Sequence, residues 1–145
     1  MEKKINSNTI KKIINKLKNK YKYYENIIIC CCFKKSKILS YGISKPNIHL
    51  YNIQFSTHAE INAINNLKKR YKNINLLILR IKDNNLLLSK PCQFCIRTLN
   101  KFKYINKIYY SNNNNIYYDN IKKMYNNIHL YCISSGECRQ LSNHH

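Results

Sequence analysis

The chain has few acidic residues, no long apolar run and almost no glycine, proline or tryptophan. Its 145 residues include 6 Asp and Glu against 26 Lys and Arg, a formal net charge of +20. No stretch of about 18 apolar residues, the length that a membrane span requires, occurs. The N-terminus also lacks the apolar core of a signal peptide. We therefore expect a soluble, intracellular protein without a membrane partner, whose cysteines are reduced or bind metal.

The excess of positive charge has two open explanations. A polyanionic partner, such as a nucleotide, RNA or single-stranded DNA, would account for it. An AT-rich coding sequence would also account for it, because Lys, Asn, Ile and Tyr are plentiful while Gly and Pro number 2 each. Under either explanation the electrostatic field around the protein attracts anionic substrates.

The pattern of apolar residues predicts a single domain over residues 1–145. Helices are expected over 9–22 with Thr9 as N-cap, from His58 to near Arg70, from Pro91 onward and over 117–127. Strands are expected over 27–33, 37–43, 76–81, 105–110 and 130–133, with a loop over 112–115. Such alternation favours a three-layer α-β-α sandwich with a five-stranded mixed sheet whose last two strands are parallel.

Three consecutive cysteines, Cys30 to Cys32, lie in the first long apolar strand. Adjacent side chains of a strand point to opposite faces, so the three thiols cannot converge on one metal ion. We expect them to be buried as small hydrophobic residues.

Two short motifs carry the candidate chemistry. The first motif is His58-Ala59-Glu60, which supplies His58 and Glu60. The second motif is Pro91-Cys92-Gln93-Phe94-Cys95, which supplies Cys92 and Cys95. One imidazole and two thiolates are three zinc-type ligands, one fewer than a closed structural site uses. The i, i+3 spacing of the cysteines places both sulfurs on one face of a helix. The missing fourth ligand indicates a catalytic coordination with a position for water.

Each motif has a simpler interpretation when it is taken alone. An isolated H-x-E on a helix is commonly a surface feature, and one C-x-x-C is also typical of a redox pair or of half a zinc ribbon. Cys132 and Cys138 do not form a second C-x-x-C, which disfavours the ribbon. The combination of the two motifs favours a catalytic zinc site.

The combined pattern H-x-E…P-C-x-x-C resembles that of the zinc-dependent cytidine and deoxycytidylate deaminase superfamily. The resemblance implies that zinc lowers the pKa of a bound water to about 7. It also implies that Glu60 is the catalytic acid–base, which protonates a ring nitrogen and then the leaving amine. Family members commonly associate, so a homo-oligomer is expected.

The resemblance also suggests how the substrate is held. Backbone groups near Ala59 and at Lys90 would hold the edge of the base. Ser44 stands where many members have Asn, and Asn47 is a candidate substitute for that sugar contact. The loop after the fourth strand, Tyr109 to Asn112, is where polynucleotide deaminases place aromatic residues that stack a neighbouring base. Because the chain contains 13 Tyr, buried packing or chance is the favoured interpretation of these tyrosines.

Three functional hypotheses remain open. The first is hydrolytic deamination of a cytosine-bearing nucleotide of the CMP or dCMP type. It is favoured because the sequence from His58 to Ile64 looks closest to the deoxycytidylate deaminases. The resemblance sets free-cytidine deaminases apart for two reasons: they lack the predicted parallel last strands, and they usually have Cys where this chain has His58. The second is a polynucleotide deaminase acting on tRNA adenosine or single-stranded cytidine. The third, a non-catalytic zinc-folded nucleic-acid-binding module, is disfavoured by the intact Glu60.

Overall fold

The computed structural model describes residues 3–5, 7–44 and 58–133. The strands are β1 (Lys3–Ile5), β2 (Asn26–Lys34), β3 (Lys37–Ser44), β4 (Ile74–Lys82), β5 (Asn85–Leu87), β6 (Ile105–Asn112) and β7 (Asn115–Asn120). The helices are α1 (Asn8–Lys20), α2 (Ala59–Asn65), α3 (Gln93–Asn100) and α4 (Ile121–Asn126), followed by a short 3-10 helix, Ile128–Leu130. Within these described residues, no helix is both long and apolar enough to cross a membrane.

The strands form one open mixed sheet with helices on both faces. The strand order is β1-β7-β6-β4-β2-β3, and β5 pairs with β4. On one face α1 packs through Ile10, Ile13, Ile14 and Leu17. On the other face α2, α3 and α4 pack through Ala63, Ile96, Leu99 and Met124. This layering agrees with the α/β class expected from the alternation of elements, although the described sheet has seven strands rather than five.

The predicted end of the sheet is wrong in the described part of the chain. The parallel pair is β4 with β6, whereas β7 returns antiparallel to β6. Asn113 and Asn114 both have positive φ, 49° and 63°, the combination that a two-residue hairpin turn requires. Residues 117–120 are therefore strand rather than helix. The strand expected over 130–133 is not formed, because Leu130 ends the 3-10 helix and residues 131–133 belong to no strand.

Smaller differences occur at the helix ends. The N-cap of α1 is Ser7 rather than Thr9, and its side chain accepts a hydrogen bond from the Ile10 N–H. The helix that follows His58 ends at Asn65, short of the expected Arg70. Of the residues expected to form the buried side of this helix, Ile64 is buried, whereas Ile61 and Leu67 are only partly buried.

The three consecutive cysteines are fully buried, which confirms the expectation. Cys30 and Cys32 pack on the α2 and α3 face, while Cys31 packs on the α1 face. Burial raises the pKa of the Cys32 thiol to about 11 and raises those of Cys30 and Cys31 further. A thiol with such a pKa is protonated at neutral pH and reacts slowly.

This burial predicts a clear pattern of thiol reactivity. In the folded protein at pH 7 we expect iodoacetamide to modify the partly exposed Cys132 while Cys30 to Cys32 stay unmodified. Peptide mass spectrometry before and after addition of denaturant measures how much of Cys132 and how much of Cys30 to Cys32 is modified. Rapid modification of Cys31 in the folded state would contradict the buried position of β2.

Helix α2 lies unusually close to strand β3 at Gly42. A Cβ atom at Gly42 would lie 2.3 Å from both the Ala59 carbonyl oxygen and the Ala63 nitrogen. The Ser40 hydroxyl donates to the Ala63 carbonyl at 2.7 Å, and the Asn62 amide donates to the Ile43 carbonyl at 2.8 Å. These contacts hold the beginning of α2, where the first motif lies, against the sheet.

Gly42→Ala is therefore expected to displace α2. Overpacking a close contact typically costs about 1–3 kcal/mol, and two clashes with backbone atoms place this variant at the upper end of that range. Urea unfolding measures the loss. The control is Ser40→Ala, which removes one hydrogen bond and adds no atoms, for which we expect a loss of about 1 kcal/mol. Equal stability of Gly42→Ala and wild type would show that α2 is not held this closely.

Candidate metal and active site

The two motifs meet at the beginnings of α2 and α3. His58 is the N-cap of α2 and Cys92 is the N-cap of α3, while Cys95 follows in the first turn of α3. Pro91 was expected to begin this helix. It instead precedes the N-cap, and α3 begins at Gln93. The unpaired N–H groups of a helix N-terminus favour a thiolate over a thiol.

The three predicted ligands lie within reach of one ion. Their ligand atoms are all within 4.8 Å of one another, and Cys92 Sγ is 3.9 Å from His58 Nδ1. Ligands of one tetrahedral zinc ion are about 3.5–3.8 Å apart, given Zn–N and Zn–S bonds of about 2.0–2.3 Å. The chemistry and spacing of this donor set therefore fit zinc.

Glu60 lies beside these ligands and is almost fully buried, with 5% of its surface exposed. Burial is the largest cause that raises the pKa of its carboxyl above the ordinary value. A hydrogen bond from the Cys95 thiol and the nearby His58 act in the opposite direction, and Cys92 raises the pKa further. A buried carboxyl whose pKa is raised toward neutrality is suited to accept and return a proton.

The Cys95 thiol is perturbed most strongly. Its hydrogen bond with Cys92 is the largest cause that raises its pKa far above the ordinary value, followed by burial and by Glu60. Three groups that would be anionic are thus gathered in a buried space. A cation among them would favour the thiolate forms, as a metal site requires.

The raised thiol pKa predicts that zinc affinity depends on pH. Because the metal-free Cys95 holds its proton at neutral pH, zinc must displace that proton, and its affinity should rise as pH rises. We expect the logarithm of the affinity to increase by about one to two per pH unit between pH 6 and 8, one for each thiol proton released. Competition with a chromophoric chelator measures this slope. A pH-independent affinity would mean that both thiols are already ionised without metal.

The segment that leads into the second motif is held by two buried serines. The Ser89 hydroxyl donates to the Ile78 carbonyl at 2.7 Å and lies 2.9 Å from the Ser111 hydroxyl, while Ser111 donates to the Leu87 carbonyl. These bonds tie the residues before Cys92 to β4 and β6. This role was not predicted, because small polar residues at strand ends are too common to signal it.

The remaining predicted site residues are placed differently. Ala59 is buried in the first turn of α2, and Ser44 is the buried last residue of β3. Lys90 precedes the second motif, with its Nζ 4.3 Å from the centre of the Tyr131 ring. Asn47 lies outside the described residues. The contacts of these four residues with a substrate stay predictions.

The two tyrosines at the end of the fourth predicted strand are packed in the sheet. Tyr109 and Tyr110 lie in β6 and are 8% and 1% exposed. Their rings stack on those of Tyr118 and Tyr117 across the β6–β7 hairpin. Buried packing, the interpretation favoured from the sequence, is therefore confirmed for Tyr109 and Tyr110, and these two rings do not stack a neighbouring base.

Comparison with known families agrees with the geometry. The family model described as "Cytidine and deoxycytidylate deaminase zinc-binding region" matches residues 3–112. The matched region contains all three candidate ligands and Glu60. No curated protein and no solved structure gives a significant match.

Proposed function

Because this chain belongs to the cytidine and deoxycytidylate deaminase family, we propose that it hydrolyses the exocyclic amine of a cytosine-bearing nucleotide of the CMP or dCMP type. The products are the corresponding uracil nucleotide and ammonia. The observation that carries the proposal is the cluster of His58, Cys92 and Cys95 with the buried Glu60 beside it. A metal-folded binding module would have no use for that carboxyl.

His58, Cys92 and Cys95 would hold one zinc ion per chain, and these three ligands would leave room for a bound water. When bound, zinc would supply the Lewis acidity that makes water a nucleophile at neutral pH. Glu60 takes a proton from the attacking water and delivers it to the ring nitrogen N3 as the C4–O bond forms. A second proton passes through Glu60 to the amino group, and the C4–N bond breaks to release ammonia.

The surrounding residues would orient the base for this transfer. Ala59 and Lys90 flank the two ligand-bearing helix starts, so their backbone groups can hold the edge of the base. Ser44 and Asn47 remain the candidates for the sugar. Burial of Glu60 keeps bulk water away from the proton that it carries.

A second candidate is the same reaction on a single-stranded polynucleotide. The net charge of +20 favours it. Salt dependence separates the two candidates, because a polynucleotide releases several counterions on binding whereas a mononucleotide releases few.

Ammonia release tests the proposal directly. The zinc-loaded full chain would be assayed with cytidine, CMP, dCMP and a deoxycytidine-containing oligonucleotide, with adenosine in a tRNA stem-loop as a further arm. Cytidine belongs in the set because β7 is antiparallel to β6, which removes one of the two reasons to set free-cytidine deaminases apart. The other reason is His58, where those enzymes usually have Cys. We expect turnover of at least one cytosine substrate. A zinc-loaded, folded protein that releases no ammonia from any of them would refute the proposal.

A further inference from the structure

The outer side of α3 carries an exposed aromatic ring directly beside the metal site. Phe94 lies between the two cysteine ligands in sequence and is 54% exposed. Its ring centre lies 5.2 Å from that of His58, with 37° between the ring planes. Part of the ring therefore covers the ligand imidazole, while more than half of the side chain faces solvent.

An exposed cation lies on the same side of the helix. Arg97 is three residues after Phe94, a spacing that makes the two side chains neighbours. Its Nη2 donates to the Gln93 Oε1 at 3.4 Å, which directs the guanidinium toward the beginning of α3. Gln93 is held in turn, because its Nε2 donates to the Tyr131 carbonyl at 2.8 Å and its N–H to the Cys132 carbonyl. The partner of Arg97 is a neutral amide, so this contact leaves its charge uncompensated.

We propose that Phe94 and Arg97 form a nucleotide subsite next to the metal site, which takes the unit that flanks the target cytosine in a single-stranded polynucleotide. The flanking base stacks on the Phe94 ring and its phosphate contacts the Arg97 guanidinium. Phe94 is too exposed to enclose the target base, which must reach the buried Glu60. This subsite rests on the second candidate function, the same deamination on a single-stranded polynucleotide.

Aromatic–base stacking suits this position because it tolerates any base and needs only a flat exposed ring. Arg adds charge attraction to phosphate and keeps its charge at every physiological pH. The tyrosines of β6 are buried in the sheet, so base stacking would require another aromatic residue. Phe94 offers such a ring, in contact with a candidate metal ligand.

The test compares oligonucleotide and mononucleotide use by the zinc-loaded full chain. For Phe94→Ala and Phe94→Leu we expect the ratio of kcat/KM for a deoxycytidine nonamer to that for dCMP to fall by about 5- to 100-fold, the range for loss of one stack. Phe94→Tyr keeps the ring and should retain the ratio. Phe94→Leu keeps an apolar side chain beside His58 but has no ring on which a base can stack. It therefore distinguishes loss of base stacking from loss of the apolar contact with His58.

Arg97→Gln should reduce the slope of log affinity against log salt for a labelled deoxycytidine nonamer by about 0.7, the value for one phosphate contact on a single strand. Arg70→Gln, an exposed arginine beyond α2, makes the same charge change elsewhere. Tyr23→Ala, at a side chain that is 86% exposed, controls for loss of an exposed ring. Both controls should leave the nonamer-to-dCMP ratio unchanged.

The remaining outcomes are distinguishable. If Phe94→Ala lowers activity on dCMP and nonamer equally, or releases zinc, Phe94 supports His58 and the subsite is rejected. If the Phe94 variants change only the molecular mass in solution, the ring belongs to a protein contact and the subsite is rejected. Absence of ammonia from every substrate with wild type refutes the deaminase function itself, whereas turnover with an unchanged ratio in all variants refutes only the subsite.

Discussion

Glu60→Gln is expected to lower ammonia release by at least about 10²–10⁴-fold, the usual contribution of a positioned acid–base group. The amide has nearly the shape of the carboxyl but cannot accept and return a proton. Glu60 is not among the three candidate metal ligands, so zinc content should stay that of wild type. Steady-state assays on the best cytosine substrate, with metal analysis of the same samples, measure both quantities.

The matched control is Glu25→Gln, which makes the same chemical change at an exposed position outside both motifs. It should keep full activity. Near-wild-type turnover by zinc-loaded Glu60→Gln would remove Glu60 from the mechanism.

The stability of the metal-free variant provides a second check that Glu60→Gln is folded. Burial raises the pKa of Glu60, so its contribution to stability is present below the ordinary value of 4.5 and is lost as pH rises through the folded-state pKa. At pH 7 the metal-free wild type contains a carboxyl in a site that disfavours its charge. We therefore expect Glu60→Gln without metal to melt at the same temperature as wild type or higher at pH 7. A markedly lower melting temperature would mean that lost activity reflects misfolding.

Cys95→Ser is expected to remove both the metal and the activity. The change replaces a buried thiolate ligand with a hydroxyl that does not ionise at neutral pH. Loss of partners that merely orient zinc ligands costs about 10–100-fold in affinity, so loss of the ligand itself should exceed 100-fold. Equilibrium dialysis with atomic absorption measures the zinc, and the ammonia assay measures the activity.

Zinc loss should also appear as lost stability. With free zinc at about 100 to 1,000 times the dissociation constant, binding stabilises the folded state by about 2.7–4.1 kcal/mol. For a chain of this size that corresponds to roughly 5–15 °C in melting temperature. Addition of a chelator should lower the melting temperature of wild type by this amount and leave Cys95→Ser unchanged. Cys132→Ser, at a partly exposed cysteine, should behave as wild type, and full zinc loading of Cys95→Ser would refute the ligand assignment.

The parts of the fold that the sequence predicted well are those with strong local signals. The apolar periodicity of α1 and the continuous apolar runs of β2 and β4 specify element type by themselves, since each must bury its apolar side. The alternation of the three cysteines between the two faces follows directly from the two-residue period of a strand.

The end of the sheet shows where local signals failed. Residues 117–120 contain no clear strand alternation and were predicted to be helical. They are strand because the Asn113-Asn114 turn reverses the chain and brings Tyr117 and Tyr118 against β6. The two asparagines were a hairpin signal that was mistaken for a polar loop. Strand β1 could not be foreseen either, because its partner β7 lies more than 100 residues away.

The identity of the candidate metal ligands was determined by the sequence alone. Cys92 and Cys95 stand at a spacing that one helix start satisfies, His58 belongs to a motif that accompanies such a pair, and the donor chemistry of imidazole and thiolate does not depend on the fold. The approach of His58 Nδ1 to 3.9 Å from Cys92 Sγ, across 34 residues of chain, is a tertiary contact. The tertiary structure decided what surrounds them. The closeness of α2 to Gly42, the burial of Glu60 and the exposed Phe94 beside His58 all arise from packing between segments distant in sequence. Burial and proximity depend on those long-range contacts, which no local pattern encodes.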